Sequence, residues 1–268
     1  MSVPDAELIR ALLDPAITRF DLFAEIDSTN TWLLDRGFAD QPAPPRLAVA
    51  AVQHAGRGRR GRSWIAEPGS SAAFSLSFER EGSAPPAPGL SIAVGCAIAD
   101  ALLPHCPALA LKWPNDLLRA GRKCGGILIE TRTGRASDRP ILRAVIGVGL
   151  NLRAPRDPDA LITQPAGGLF EDDQPGLAVE ALIALAAGAV FDAWSAHGRD
   201  GLAPFVDTWS RLDAWHGRQV ELSDGGRVVA RGQSLGIDAD GALRVLGEAG
   251  ERRMIAGDLS LRTAPEAL

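Results

Sequence analysis

"AGRGRRGRSW", residues 55–64, sets four arginines and three glycines in the seven positions from Gly56 to Arg62, directly after the alanine- and valine-rich run "LAVAAVQ" at 47–53. The run reads as a buried strand, and Gly56, Gly58 and Gly61 then satisfy G-x-G-x-x-G, the pattern of a dinucleotide-binding α/β fold. That fold needs a helix to begin inside the motif so that its first amides meet a pyrophosphate. Here Pro68 and Gly69 follow within a few residues, where a helix would have to run, so the dinucleotide reading is rejected. Arginines at the variable positions point instead to side-chain contact with an anion. Ordering three glycines costs backbone entropy, and the neighbouring guanidinium groups repel one another unless an anion relieves them. The expectation is a loop that is mobile when empty and closes over a phosphate. A nucleic-acid groove and a plain solvated loop are the other readings, and the first would want further basic segments.

Working outward, "RFDLFAEID" (19–27) reads as a strand, and Asp27 or Ser28 can cap a helix carrying Trp32 and Leu33 and ending at Gly37. "AAFSLSFE" (72–79) alternates as the strand leaving the arginine loop, and an alanine-rich helix follows from Leu90 to Leu103. "LALKW", "LLR", "GGILIETR" and "ILRAVIGVGLNL", with a polar loop between the last two, suggest hairpins. The expected fold class is therefore α+β, a mixed, mainly antiparallel sheet with helices on one face. Short helices over Asp5–Leu13 and Leu202–Leu212 and a longer one from Leu177 to Trp194 complete this part, with a Pro-, Asp- and Gly-rich loop at 153–175. From Arg218 to Arg262, short β-rich runs separated by "SDGG", "DADG" and "GEAG" predict a small β-barrel. The domains expected are 1–214 and 215–268.

Composition narrows the function. The 268 residues carry a net charge of −5, with 46% hydrophobic and 23% charged residues, which fits a globular chain and counts against a general nucleic-acid binder. No secretory signal is visible, and the apolar run at 89–103 is too short to cross a bilayer, so no membrane partner and a cytoplasmic location are expected. Cys96, Cys106 and Cys124 lack metal-ligand spacing and read as reduced, mostly buried thiols, and the four histidines are scattered, so no protein metal site is expected.

Three further segments carry chemistry. In "KWPND" (112–116) Pro114 forces a turn presenting Asn115 and Asp116 at a strand end, although such a turn alone can be only a turn. "RKCGGILIE" (122–130) puts Lys123 ahead of two glycines that let a ligand approach the backbone. "GVGLN" (147–151) repeats that idea at another strand end.

Together, "DSTN" (27–30), "QHAGRGRRGRSW" (53–64), "KWPND", "KCGGILIE" (123–130) and "GVGLN" resemble, in order and spacing, the biotin protein ligase (biotin-[acetyl-CoA-carboxylase] ligase) family from about residue 20 to the C-terminus. The resemblance implies a catalytic domain related to lipoate ligases and class II aminoacyl-tRNA synthetases, followed by a barrel of the Src-homology-3 kind. It implies that Ser28, Thr29, Asn30 and Gln53 hold the biotin ring and ureido group, and that Gly56, Arg57, Gly58 and Arg59 line biotin and the adenylate phosphate. Lys123 would reach both the biotin carboxylate and the α-phosphate, with Arg62, Trp64, Lys112, Asn115 and Asn151 on the ATP and adenylate side. Lys123, Arg59 and Asp116 are the implied catalytic set, Asp116 orienting or deprotonating the acceptor lysine.

The implied activity is formation of biotinyl-5′-AMP from biotin and ATP, with Mg²⁺ carried on the phosphates, then transfer of biotin to a lysine of the biotin carboxyl carrier protein. A monomer or homodimer is expected. Only about twenty residues precede the first motif, so the form without an N-terminal DNA-binding domain, and no DNA partner, are expected. Cys124 stands where relatives often show a larger aliphatic residue; it reads as a small hydrophobe or as a reactive thiol beside Lys123. A lipoate or octanoate ligase or transferase of the same fold is the alternative within this class, and a nucleic-acid-binding module using the arginine loop is the alternative outside it.

Overall fold

The computed structural model describes residues 3–66, 68–136, 138–156, 164–171, 176–224, 226–255 and 259–263. Local chemistry starts its first helices. The Asp5 carboxylate accepts the amides of Glu7 and Leu8 and begins α1 (Ala6–Leu12), and the Ser28 hydroxyl accepts the amide of Thr31 and begins α2 (Thr29–Leu34). Ser28 is thus the cap, and the helix ends at Leu34, short of the expected Gly37.

Among the described residues seven strands form the larger sheet: β1 (Arg19–Ile26), β2 (Arg46–Gln53), β3 (Ser71–Glu81), β4 (Leu109–Lys112), β5 (Asp116–Arg119), β6 (Arg122–Ala136) and β7 (Arg139–Asn151). Their order is β1-β2-β3-β7-β6-β5-β4, with β1 and β2 parallel and every other pair antiparallel. The expected polar loop after Arg132 is instead the tip of a long β6–β7 hairpin, paired out to Ala136 and Arg139. Part of the loop expected at 153–175 lies outside the described residues.

Period-two alternation sends side chains of one strand to opposite faces of the sheet. On β3, Ala72, Phe74, Leu76 and Phe78 point to the main core, as do Ile146, Val148 and Leu150 on β7. This face is covered by α3 (Leu90–Leu102) and α4 (Val179–Asp200), with the Phe78 ring stacked on Trp194 at 4.6 Å between centroids. Burying each of the larger of these side chains contributes about 1.5–3 kcal/mol. The length and mean hydropathy of 1.5 of α4 would suit a membrane span, yet Leu182, Ile183, Ala186, Ala187, Val190 and Ala193 are packed in this core.

The expectation of helices on one face needs correction, because α2 packs on the other, where Leu33 meets Ala48 and Val145. Its C-terminal end is held by Arg143 of β7. The guanidinium donates to the carbonyls of Leu33, Leu34, Arg36 and Gly37 at 2.5–3.3 Å and, through Nε, to Glu79 at 2.8 Å. Arg143 and Glu79 are each 4% exposed, so the charge is paired and its hydrogen bonds are filled.

A 3-10 turn (Ala203–Phe205) and α5 (Val206–Leu212) replace the single helix expected there and lead to the second sheet. That sheet is antiparallel, with β8 (Gln219–Asp224), β9 (Arg227–Ile237), β10 (Leu243–Gly247), β11 (Gly250–Met254) and β12 (Leu259–Thr263) in the order β11-β10-β9-β8-β12. The two sheets are sewn together. Asp213 makes a parallel bridge to Leu111 of β4, and the Trp113 indole N–H donates to the Gly241 carbonyl at 3.0 Å.

Candidate active site

The face opposite the main core carries the site, and alternation decides what lies on it. Register places Ala73, Gly149 and Gly126 in one cross-strand row and Ser75, Gly147 and Leu128 in the next. Small residues in these rows leave a depression in the sheet. It is filled from above by side chains: a Cβ on Gly149 would lie inside the Trp64 indole, and one on Gly147 would overlap the Asn30 amide. Neighbouring Gly125 faces the other way, where a Cβ would come within 2.7 Å of Leu150.

The start of α2 delivers Thr29 and Asn30 to this depression, both buried. Gln53, at the end of β2, accepts the Thr29 amide at 2.8 Å and the Thr29 hydroxyl at 3.1 Å. The polar chain continues from Thr29 to the Ser75 hydroxyl at 2.7 Å and from Ser75 to Asn30 Oδ1 at 2.5 Å. Asn30 Nδ2 donates to Glu130 at 2.8 Å, and Glu130 also pairs with Arg57 at 3.1 Å. A linked row of donors and acceptors on a wall otherwise made of glycine and aliphatic groups suits a flat polar heterocycle.

The arginine loop forms the opposite wall. It is a small hairpin: Trp64 N donates to the Gly56 carbonyl at 2.8 Å, Gly58 N to Arg62 at 2.7 Å, and Arg57 bridges Ser63. Gly56 is required at its base, because a Cβ there would sit 2.6 Å from the Trp64 carbonyl oxygen. A single 3-10 turn spans Arg59–Gly61, with Arg60 left-handed at φ 63°, and no longer helix follows. Arg59 donates to Asn115 at 3.3 Å and Arg60 pairs with Asp224 of the second sheet at 3.4 Å, so the loop reaches both the β4–β5 turn and β8.

At the far end, Asp116 is 9% exposed and lies between two ammonium groups, Lys123 at 2.6 Å and Lys112 at 3.5 Å. Burial lowers the Lys112 pKa from its ordinary value, with Asp116 opposing that shift. Lys123 Nζ also faces the Trp64 ring at 5.8 Å. The trio carries one net positive charge beside the depression, as an anionic reactant requires.

Ser28, Thr29, Asn30, Gln53, Arg57, Gly58, Arg59, Arg62, Trp64, Lys112, Asn115, Asp116, Lys123 and Asn151 all line one pocket. Gly56 supports it from the loop base, outside the lining. Three contributors escaped sequence reasoning. Ser75 and Glu130 occupy alternating strand positions indistinguishable from a solvated face, and Trp215 enters from the segment joining the two sheets, stacking on Lys112 at 4.9 Å. Cys124, by contrast, points into the core, donates to the Leu117 carbonyl, and has its pKa pushed up to about 12 by burial, so it is a packed thiol and not a nucleophile. Among the described residues no group of three or more His, Cys, Asp or Glu side chains could hold a metal ion.

Most of this pocket's lining falls in a stretch that one family model recognises. Residues 22–151 match the Biotin/lipoate A/B protein ligase family, and residues 216–262 match the Biotin protein ligase C terminal domain. Bifunctional ligase/repressor BirA of Salmonella typhimurium is 33% identical over 97% of this chain and 79% of that protein. The chain belongs to the biotin/lipoate A/B protein ligase family. Within it, the Biotin--[acetyl-CoA-carboxylase] ligase of Paracoccus denitrificans is 34% identical over 89% of this chain and 98% of its own length. Among solved structures, the biotin protein ligase from Aquifex aeolicus in complex with biotin and ATP superposes with a TM-score of 0.72 over 92% of this ligase-family chain and all of that one. At 22% identity this likeness establishes the shared fold.

Proposed function

We propose that the chain is an ATP-dependent biotin-[acetyl-CoA-carboxylase] ligase that makes biotinyl-5′-AMP and passes biotin to a lysine of the biotin carboxyl carrier protein. The carrying observation is the joining, in one pocket, of a polar row fit for a ureido ring with a net-positive trio fit for a carboxylate and a phosphate. The Paracoccus denitrificans relative, which bears this activity in its name at 34% identity, favours biotin over a lipoyl or octanoyl group.

In the first half-reaction a biotin carboxylate oxygen bonds to the α-phosphorus of ATP and the bond to pyrophosphate breaks. Two anions meet, so the barrier is electrostatic, and preorganised cations lower it. Lys123 is assigned to the carboxylate and α-phosphate, and Arg57, Arg59 and Arg62 to the phosphate wall. Thr29, Asn30 and Gln53 take the ureido group, with Ser28 fixing the helix that presents them. Trp64, Asn115 and Asn151 take the adenosine side, and Lys112 holds Asp116. Mg²⁺ would be carried by the nucleotide's phosphates. In the second half-reaction the acceptor lysine nitrogen bonds to the acyl carbon and AMP leaves. Asp116, engaged by two ammoniums, supports an orienting role more than a proton-accepting one.

The proposed division is a catalytic domain at 1–214 and a second domain at 215–268, in a cytoplasmic monomer or homodimer. No DNA partner is proposed: the net charge is −5, and Arg57, Arg59 and Arg60 are turned to Glu130, Asn115 and Asp224. The deciding assay is ATP-dependent transfer of labelled biotin to a carrier domain. Transfer of lipoate or octanoate in preference would defeat the proposal.

A further inference from the structure

Trp215 lies beyond the motifs that carry the site, on the segment between α5 and β8, yet its ring covers the Lys112 ammonium at 4.9 Å. Its placement is fixed by backbone. Asp213 bridges Leu111, Ala214 N donates to the Leu111 carbonyl at 2.9 Å, and the Asp213 carboxylate accepts Trp215 N at 2.9 Å. The segment therefore acts as a short extra strand along β4, and it sets the indole beside the last residue of that strand.

Among the described residues the Lys112 ammonium meets the Trp215 ring, Asp116 and the Gln164 side-chain oxygen at 3.3 Å, and its side chain is only 13% exposed. The arrangement matters through charge. With Lys112 as an ammonium, two cations share the Asp116 carboxylate and one positive charge is left for the reactants. With Lys112 neutral or withdrawn, Asp116 compensates Lys123 alone and the trio presents no net charge to an incoming carboxylate and phosphate. Burial, with the charges of Lys123 and Arg62, works in that unfavourable direction, lowering the Lys112 pKa, while the Asp116 carboxylate and the electron-rich indole face oppose it.

We propose that Trp215 is a positioning residue of the adenylation centre, acting through Lys112 and Asp116 on Lys123, so that the segment entering the second sheet completes the charge of the first. The proposal rests on the ligase reading. A cation–π contact of this kind corresponds to about a three- to thirtyfold effect.

The test is single-turnover adenylate formation by the full chain with biotin and ATP, for wild type, Trp215→Leu, Trp215→Phe, Lys112→Met and the Lys112→Met/Trp215→Leu double variant. Trp215→Leu slows adenylation about three- to thirtyfold, Trp215→Phe recovers part of the loss, and Trp215→Leu adds nothing on the Lys112→Met background. The high-pH limb of the rate profile moves to lower pH in Trp215→Leu and does not move further in the double variant. Multiplicative losses, or a Trp215→Leu effect unchanged when Lys112 is absent, overturn the relay. If Trp215→Leu fails to fold, the same cycle is closed with Trp215→Phe, where multiplicative losses again overturn it. Wild type that makes no adenylate overturns the ligase reading itself, a result recognisable before any variant is compared.

Discussion

The two faces of the seven-stranded sheet are written in the same strands and do opposite work. Facing α3 and α4, β3 and β7 present Leu76, Phe78, Ile146 and Leu150, all buried; on the other face the intervening positions are Ser75, Gly147 and Gly149. One face is filled with aliphatic and aromatic volume, and the other is emptied so that α2 and the arginine loop can lower polar groups into it. The contrast shows that stability and recognition are separated here by one residue of register, not by distance along the chain.

The pair at the edge of the recognition face gives the largest expected break. Arg143→Met leaves the Glu79 carboxylate buried without its charge partner and takes a donor from the carbonyls of Leu33, Leu34, Arg36 and Gly37, at and just past the end of α2, a destabilisation of about 3–5 kcal/mol. Chemical denaturation measures it, and an unchanged midpoint would remove the claim that this ion pair anchors α2. On the core face, Leu76→Ala should cost about 2–5 kcal/mol of stability by transfer and cavity terms, while biotin affinity measured by calorimetry well below the melting temperature stays near wild type.

Ser75→Ala, one residue away, inverts that pattern. It breaks the chain from Thr29 to Asn30, so biotin binding should weaken by about 1–2 kcal/mol, with a smaller loss of stability than Leu76→Ala gives. If Ser75→Ala and Leu76→Ala gave the same profile, the separation of the faces would fail. The smallest expected effect concerns Lys123 and Cys124. Because burial holds the Cys124 thiol up at about 12, iodoacetamide at pH 8 should leave it unmodified in the folded ligase and modify it in denaturant. Rapid native alkylation would place it on the recognition face after all.

Much of this was legible in the linear chain because it is local. A cap at Asp27 or Ser28, the strand before the arginines, the glycine alternation in "GVGLN" and the turn at Pro114 each follow from neighbours a few residues apart. Glu130 and Ser75 were not legible, since a polar residue at an alternating position reads equally as solvent-facing or as lining a site. Nor was the side of the sheet that α2 takes, which depends on Leu33 finding Ala48 and Val145 from two other strands.

By itself, then, the sequence determined which chemistry-bearing groups exist and on which element each one rides, because spacing and periodicity act over single turns and strands. Only the tertiary structure decided which of them share one charge, as Lys112, Lys123 and Asp116 do under Trp215. Coulomb and cation–π interactions depend on distance through space, and that distance is set by strand register and by the 213–215 bridge to β4, not by separation along the chain.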